Sequence, residues 1–323
     1  MWESLALGGT GRDPLTAGRP PSLVFVDNRK ELREFLISRR AKVTPQQAGL
    51  PTYGGHRRVP GLRREEVSLL AGVSVEYYTR LERGNAQGVS ESVLESLARA
   101  LQLDEAERAH LFDLARRTTA TPARRRAAQR VRPGLQQLLD AMTDVPAFVQ
   151  NGRLDVLAAN ALGRAMYCDL YDDDVVRGAA GRPPNHARYT FLDPRSADFY
   201  PDWNLAARTG VALLRAEAGR RPDDRVLTEL IGELTTRSDK FSALWAAHDV
   251  RRHTAGTKHF HHRVVGDLTL DYETLELPGD DGLALISYTA APGSTSQQAL
   301  RFLASWAASP EQLAAPESEN QAT

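Results

Sequence analysis

Apolar positions in the first third of the chain recur every three to four residues, the spacing that gathers them on one face of a helix. Leu32, Phe35 and Leu36 predict a helix from Asp27, as N-cap, to about residue 40. Residues 44–61 carry Pro45, Gly49, Pro51, Gly54, Gly55, Pro60 and Gly61 and read as a loop. Val67, Leu70 and Ala71 then make a short apolar face that Gly72 ends. Ser74 opens a second short helix, which buries Tyr78 and Leu81 and stops at Gly84. Ser90 caps a fourth helix with Leu94, Leu97, Ala98 and Leu101 inward. Asp104 and Glu107 form a capping box for a fifth, which faces Leu111 and Leu114 inward.

Past residue 145 the period shortens to two. Residues 147–150, the turn pair Asn151-Gly152 and residues 153–158 read as a hairpin with a two-residue turn. Asn160 caps a helix holding Leu162 and Met166. Residues 202–218, 223–236 and 238–247 read as three further helices, and 257–265, 268–277 and 283–290 as three strands. A last helix runs over 296–307. The expected fold is an all-α N-terminal domain of five helices joined to an α+β domain with one antiparallel sheet and helices on one side. The boundaries follow: a disordered leader over 1–26 (or sequence upstream of the true start), a helical domain over 27–117, and a basic linker over 118–132. An α+β domain over 133–308 and a disordered tail over 309–323 complete the chain.

Charge sharpens this division. The 323 residues carry no net charge, but residues 1–132 hold 23 Lys and Arg against 15 Asp and Glu, a net +8. Residues 133–323 hold 18 against 26, a net −8. Such asymmetry points to a nucleic-acid-binding half joined to something else. One cysteine, Cys168, excludes an intrachain disulfide and fits a reducing compartment. No run approaches the roughly 18 apolar residues of a membrane helix, and no basic segment precedes an apolar run at the N-terminus. A cytoplasmic protein without a membrane partner is expected.

Two short helices joined by a glycine-containing turn, over residues 62–84, are what a helix-turn-helix requires. Gly72 can take the left-handed conformation that ends the first helix, and Val67, Leu70, Val73, Tyr78 and Leu81 can lock the pair. Val75, Glu76, Thr79, Arg80 and Arg83 remain on one outward face, a shape that fits the DNA major groove. Arg80 can pair bidentately with guanine, and Glu76 can accept from cytosine. One short recognition helix makes few base contacts, so paired half-sites, a homodimer and an inverted-repeat operator in double-stranded DNA are expected.

The stretch Leu62-Arg63-Arg64-Glu65-Glu66-Val67 through Tyr77-Tyr78 and Arg80-Leu81-Glu82-Arg83-Gly84 resembles the repressor-type helix-turn-helix of the Xre regulators. Ala206-Ala207-Arg208, Leu213-Leu214-Arg215, Leu244-Trp245, His248-Asp249-Val250-Arg251 and Tyr288-Thr289-Ala290-Ala291-Pro292-Gly293-Ser294 resemble those members that carry a MmyB-like, PAS-like C-terminal domain. The resemblance covers roughly residues 27–305. It implies DNA contacts from Arg64, Val75, Glu76 and Arg80 and a phosphate contact from Arg83; Arg63, Ser74 and Thr79 complete the expected DNA-binding set. It also implies a small apolar, fatty-acid-like effector held by the second domain.

Phe148, Leu157, Met166, Phe191, Trp203, Leu205, Leu244 and Trp245 are the candidate pocket lining, with the two indole N–H groups placed to orient a polar head. Taken singly, apolar residues at such spacings are more often ordinary core. His259 and His261 share one face of a strand, but no carboxylate or thiolate stands at metal-ligand spacing, so no metal or other cofactor is expected. Asp172-Asp173-Asp174 lacks the glycine and glutamate of a calcium loop. His248 and Asp249 have no nucleophile motif beside them, and no phosphate-binding glycine loop occurs, so no enzyme is expected. The alternative to an effector site is a C-terminal domain that serves only dimerisation or protein docking.

Overall fold

A computed structural model describes residues 28–51, 61–117, 129–172, 182–247, 254–280 and 282–307. The leader, the Asp27 cap, most of the basic linker, Asp173, Asp174, His248, Asp249 and the tail lie outside the described residues. No helix among the described residues is long and apolar enough to cross a membrane.

Five helices build the first unit: α1 Asn28–Lys42, α2 Arg64–Ala71, α3 Val75–Glu82, α4 Glu91–Ala100 and α5 Glu105–Arg117. Local chemistry sets their ends. Gly72 closes α2 at φ 67°, where a β-carbon would be strained. Ser74 and Ser90 accept from the Tyr77 and Val93 N–H groups. Asp104 and Glu107 bond each other's backbone N–H, the expected capping box. The apolar faces converge on one core of Leu32, Phe35, Val67, Tyr78, Leu97 and Leu114.

The second unit is a five-stranded antiparallel sheet with helices on both faces. Its strands are β1 Ala147–Asn151, β2 Val156–Ala159, β3 Ala255–His262, β4 Gly266–Glu276 and β5 Leu283–Thr289, in the order β2-β1-β5-β4-β3. Period-two alternation divides it. Phe148, Phe260, Leu270, Tyr272, Ile286 and Tyr288 face a large aromatic core, whereas Ala147, Val149, Leu283 and Leu285 face the opposite side. That opposite side is covered by α6, Pro133–Ala141, through Leu135 and Leu139. The expectation of helices on one side only is therefore corrected. Alternating β1 and β5 expose apolar residues on both faces, and each face must be covered.

The hairpin turn also differs from the two-residue expectation. Asn151 and Asp155 close a three-residue loop, and Leu154 sits at φ 65°. The Asn151 side chain accepts from the Arg153 and Asp155 N–H groups, and Leu154 is buried against Val211 and Leu214. Burying that leucine offsets a backbone conformation that non-glycine residues rarely adopt.

Around the aromatic face lie α7 Ala161–Met166, α8 Asp169–Asp172, α9 His186–Leu192, α10 Arg195–Phe199, α11 Trp203–Arg220, α12 Arg225–Arg237, α13 Asp239–Ala246 and α14 Thr295–Ala307. The short helices α8, α9 and α10 and the sheet-covering α6 are not evident from apolar periodicity. Asn160 caps α7 by accepting from the Gly163 N–H at 2.7 Å.

Candidate DNA interface and ligand cavity

The outward side of α3 forms a shallow concavity lined by Val75, Glu76, Thr79, Arg80, Arg83 and Asn85. Val75, Glu76, Arg80 and Arg83 are exposed and Thr79 is half-buried. The Arg80 guanidinium lies 4.7 Å from the centre of the Tyr77 ring, which holds it over the helix surface. Asn85, just past the helix, joins this face and was not among the residues expected from sequence.

Four other groups position the face. Ser74 spends its hydroxyl on the α3 cap. Arg63 precedes α2, where its N–H donates to Glu66 at 2.6 Å. Glu82 is almost wholly buried at the end of α3, and it accepts from Arg40 of α1 at 2.6 Å and from Arg64 of α2. The Tyr78 hydroxyl donates to the same carboxylate, and burial raises that phenol's pKa. Glu82 thus pins the outward helix to its two neighbours. Arg64, expected to contact DNA, has its Nε engaged by Glu82 while its side chain stays half exposed.

Behind the sheet's aromatic face opens a cavity of about 510 Å³. Phe148, Ile286, Tyr288 and Lys258 of the sheet line one side, and Leu205, Thr209, Gly210 and Leu213 of α11 line another. Of the eight residues expected to line a pocket, Phe148 and Leu205 line this cavity, and Met166 lines a separate cleft beside Cys168 and His262. Leu157 packs with the core under α6, and Met166 belongs to the aromatic core. Phe191, Leu244 and Trp245 pack against the helical cluster of α11, α12 and α13. The Trp203 indole N–H donates to the Thr190 carbonyl and the Ser196 hydroxyl, both at 3.1 Å. Trp245 stacks on Phe241 at 5.7 Å. The tryptophans and Phe191 found partners in packed clusters, and the cavity wall is made instead by Phe148, tyrosines and aliphatic residues of the sheet and α11.

Lys258 was missed, although the sequence carried a signal for it. It shares the inward period of β3 with Phe260 and His262, where alternation calls for apolar residues. The other face of that strand carries His259 and His261, which pair with Thr269 at 3.0 Å and Asp267 at 2.6 Å across the hairpin. His262 points inward beside Cys168, their Nε2 and Sγ 4.0 Å apart. Its Nδ1 accepts from the Val264 N–H at 3.2 Å and its Nε2 lies 3.0 Å from the Ala165 carbonyl, so Nε2 carries the proton. An imidazole held in that tautomer has no free lone pair for the thiol.

A family model described as "MmyB-like transcription regulator ligand binding domain" matches residues 131–303, more than half of the chain. The chain belongs to the MmyB-like transcription regulators. A second model, "Helix-turn-helix domain", matches residues 31–111. No curated protein matches the chain. This MmyB-like regulator therefore joins a DNA-binding helix-turn-helix domain to a ligand-binding domain, and the cavity lies within the segment matched by the ligand-binding model.

Contacts between the two units of the regulator run through α11. Arg215, 1% exposed, donates from Nη1 to Glu31 of α1 and from Nη2 to the Trp245 carbonyl. Its guanidinium lies 4.1 Å from the centre of the Trp245 ring. One turn further, Gly219 lets the His110 ring of α5 approach so closely that a β-carbon would stand 2.6 Å from it. Ala216 packs into the N-terminal core. One helix of 18 residues, about 27 Å long, thus lines the cavity with its first half and docks on the DNA-binding domain with its second.

Proposed function

We propose that this regulator binds operator DNA sequence-specifically, as a cytoplasmic homodimer. Its C-terminal domain holds a small apolar, fatty-acid-like effector that tunes DNA affinity. The observation that carries the proposal is the double duty of α11. A ligand that moves Leu205, Thr209 or Leu213 pushes on the rigid element that also carries Arg215 and Gly219. An effector acts only through its differential affinity for DNA-competent and incompetent states. A coupling of about 1–3 kcal/mol is the usual scale. The basic linker is a second route between the domains.

The cavity volume falls in the roughly 300–1,000 Å³ range of sites for small molecules. Burial of an acyl chain at about 0.8 kcal/mol per methylene supports useful affinity. Catalysis and a cofactor are not part of the proposal: the Cys168–His262 pair has its imidazole nitrogens occupied by backbone groups. A homodimer is supported by the brevity of α3, eight residues, and by exposed Leu138 and Leu275 on the side of the sheet that carries α6.

Site selection from random DNA should enrich an inverted repeat, and native mass spectrometry of the full-length protein from cells should show an added small mass that denaturation removes. Absence of any enriched sequence would overturn sequence-specific binding. An empty protein that no fatty acid stabilises would leave the second domain as a dimerisation or docking module.

A further inference from the structure

Of the 41 basic residues in the chain, four are lysines, at 30, 42, 240 and 258, and the other 37 are arginines. Lys30, Lys42 and Lys240 are exposed on α1 and α13. Lys258 instead shares the inward face of β3 with Phe260 and lines the cavity, half-buried. A chain that uses arginine almost everywhere thus has an amine in its cavity wall. The difference is chemical: an amine can lose its proton and become a nucleophile, whereas a guanidinium stays charged.

The surroundings of Nζ loosen that proton. The Tyr272 ring centre lies 4.7 Å away, that of Tyr288 5.6 Å, and the Tyr288 hydroxyl 3.4 Å. Among the described residues no carboxylate pairs with Nζ. Asp202, the acidic residue of the lining, is exposed and caps α11 by accepting from the Leu205 N–H at 2.9 Å. Two ring faces and one long hydrogen bond replace only part of an ammonium's hydration, and burial brings its pKa down to about 8. About a tenth of the group is then neutral at pH 7, against less than about a thousandth of an ordinary lysine. The Tyr288 hydroxyl shares a 2.8 Å bond with Tyr167, and burial raises the pKa of both phenols, so both keep their protons. His186, wedged between the Phe148 and Tyr167 rings at 5.0 and 4.8 Å, has a buried Nε2 without a hydrogen bond. Burial first, and the Lys258 charge second, push its pKa down to about 3 and keep that ring neutral.

We propose that Lys258 is a covalent site for aromatic aldehydes, which it holds as a reversible imine inside the cavity. The Nζ lone pair forms the C–N bond, the carbonyl π pair moves to oxygen, and one Nζ proton follows to give a carbinolamine. The C–O bond then breaks and the nitrogen pair closes the C=N bond. The oxygen leaves as water with the second proton from nitrogen, and nothing is oxidised or reduced. The Tyr288 hydroxyl, bonded to Nζ and to Tyr167, relays these protons between nitrogen and oxygen. The rings of Phe148, Tyr167, Tyr272 and Tyr288 in the lining suit a flat aromatic substituent. The site stands apart from the effector reading above: aldehyde capture needs no fatty acid, and fatty-acid binding needs no imine.

The test incubates the full-length protein with benzaldehyde and cyanoborohydride at pH 7, which reduces each imine to a stable benzylamine, and maps the adducts by peptide mass spectrometry. Lys258 should be labelled on the order of tenfold faster than Lys30, Lys42 and Lys240, which serve as standards within the same molecule. Labelling of Lys258 no faster than that of the exposed lysines overturns the proposal, and this comparison needs no variant to fold. Lys258→Arg, which keeps the charge but forms no imine, should abolish the fast adduct and leave the three slow ones. A fast adduct that survives in that variant places the reactive amine elsewhere and also overturns it.

Discussion

Arg80 and Lys258 are both basic side chains in working regions of the molecule, but one lies outside a filled core and the other inside an unfilled one. Arg80 is exposed on a helix whose opposite face, with Tyr78 and Leu81, is fully packed, and its guanidinium lies over the Tyr77 ring. Water satisfies it until a partner arrives. Lys258 is half-buried in the cavity wall, with its ammonium against tyrosine rings. A surface group can wait at low cost, whereas a buried one raises the energy of the empty state and so favours whatever completes it. DNA recognition by the first domain therefore needs a rigid display, and ligand recognition by the second needs a vacancy that other contacts hold open. Arg215, buried between the two, belongs to neither: its two terminal nitrogens are both engaged, and their partners belong to both units.

The largest expected effect comes from breaking that join. Arg215→Ala leaves Glu31 without its guanidinium, and should lower stability by about 3–5 kcal/mol in denaturant unfolding. If Arg215 serves only its own domain, unfolding of the variant stays a single transition. If it couples the two units, the transitions separate. Acid should discriminate the interior of the second domain from the surface of the first. His186 is depressed from 6.5 to about 3 in the folded state. Unfolded chains bind the proton first as pH falls below 6.5, so the stability its neutral burial permits is lost progressively down to about pH 3. The slope approaches about 1.4 kcal/mol per pH unit. Melting followed from pH 7 to pH 4 should show this, and His186→Phe should flatten it. An unchanged slope in that variant would place the acid sensitivity elsewhere.

Smaller effects test the interface and the display. Gly219→Val should drive a side chain into His110 and cost about 1–3 kcal/mol of stability, with the loss confined to domain docking. The mid-point of helix-turn-helix unfolding would then change little, and a large drop would mean that the contact supports that core itself. Arg80→Ala should relax base preference by about 1–3 kcal/mol in site selection without moving the melting temperature. Arg83→Ala should weaken binding to all sequences and lower the salt slope by about one unit.

How much of this was readable from sequence differs between the halves. Caps at Ser74, Ser90 and Asp104, the glycine at 72 and the apolar spacing of α2 and α3 are all local, because a helix is specified by residues three and four apart. The outward face of α3 follows from that phase, and Val75, Glu76, Thr79, Arg80 and Arg83 line one surface as expected. Glu82 was not legible, because its partners Arg40 and Arg64 stand 42 and 18 residues away. In the second domain the strands and long helices were legible from their periods. The cavity was not, since Phe191, Trp203 and Trp245 have the same composition whether they line a void or fill a core.

By itself, then, the sequence determined the helix-turn-helix, its outward face, the order of the strands and long helices and the family, because each depends on spacing within a few residues or on runs of matched motif. Tertiary structure alone decided that α6 covers the second face of the sheet and that Leu154 turns inward. It also decided that α11 serves cavity and DNA-binding domain at once. A void is a property of several surfaces failing to meet, and a docking helix depends on two faces finding partners far along the chain. Neither leaves a local pattern, except where an inward strand position holds a lysine.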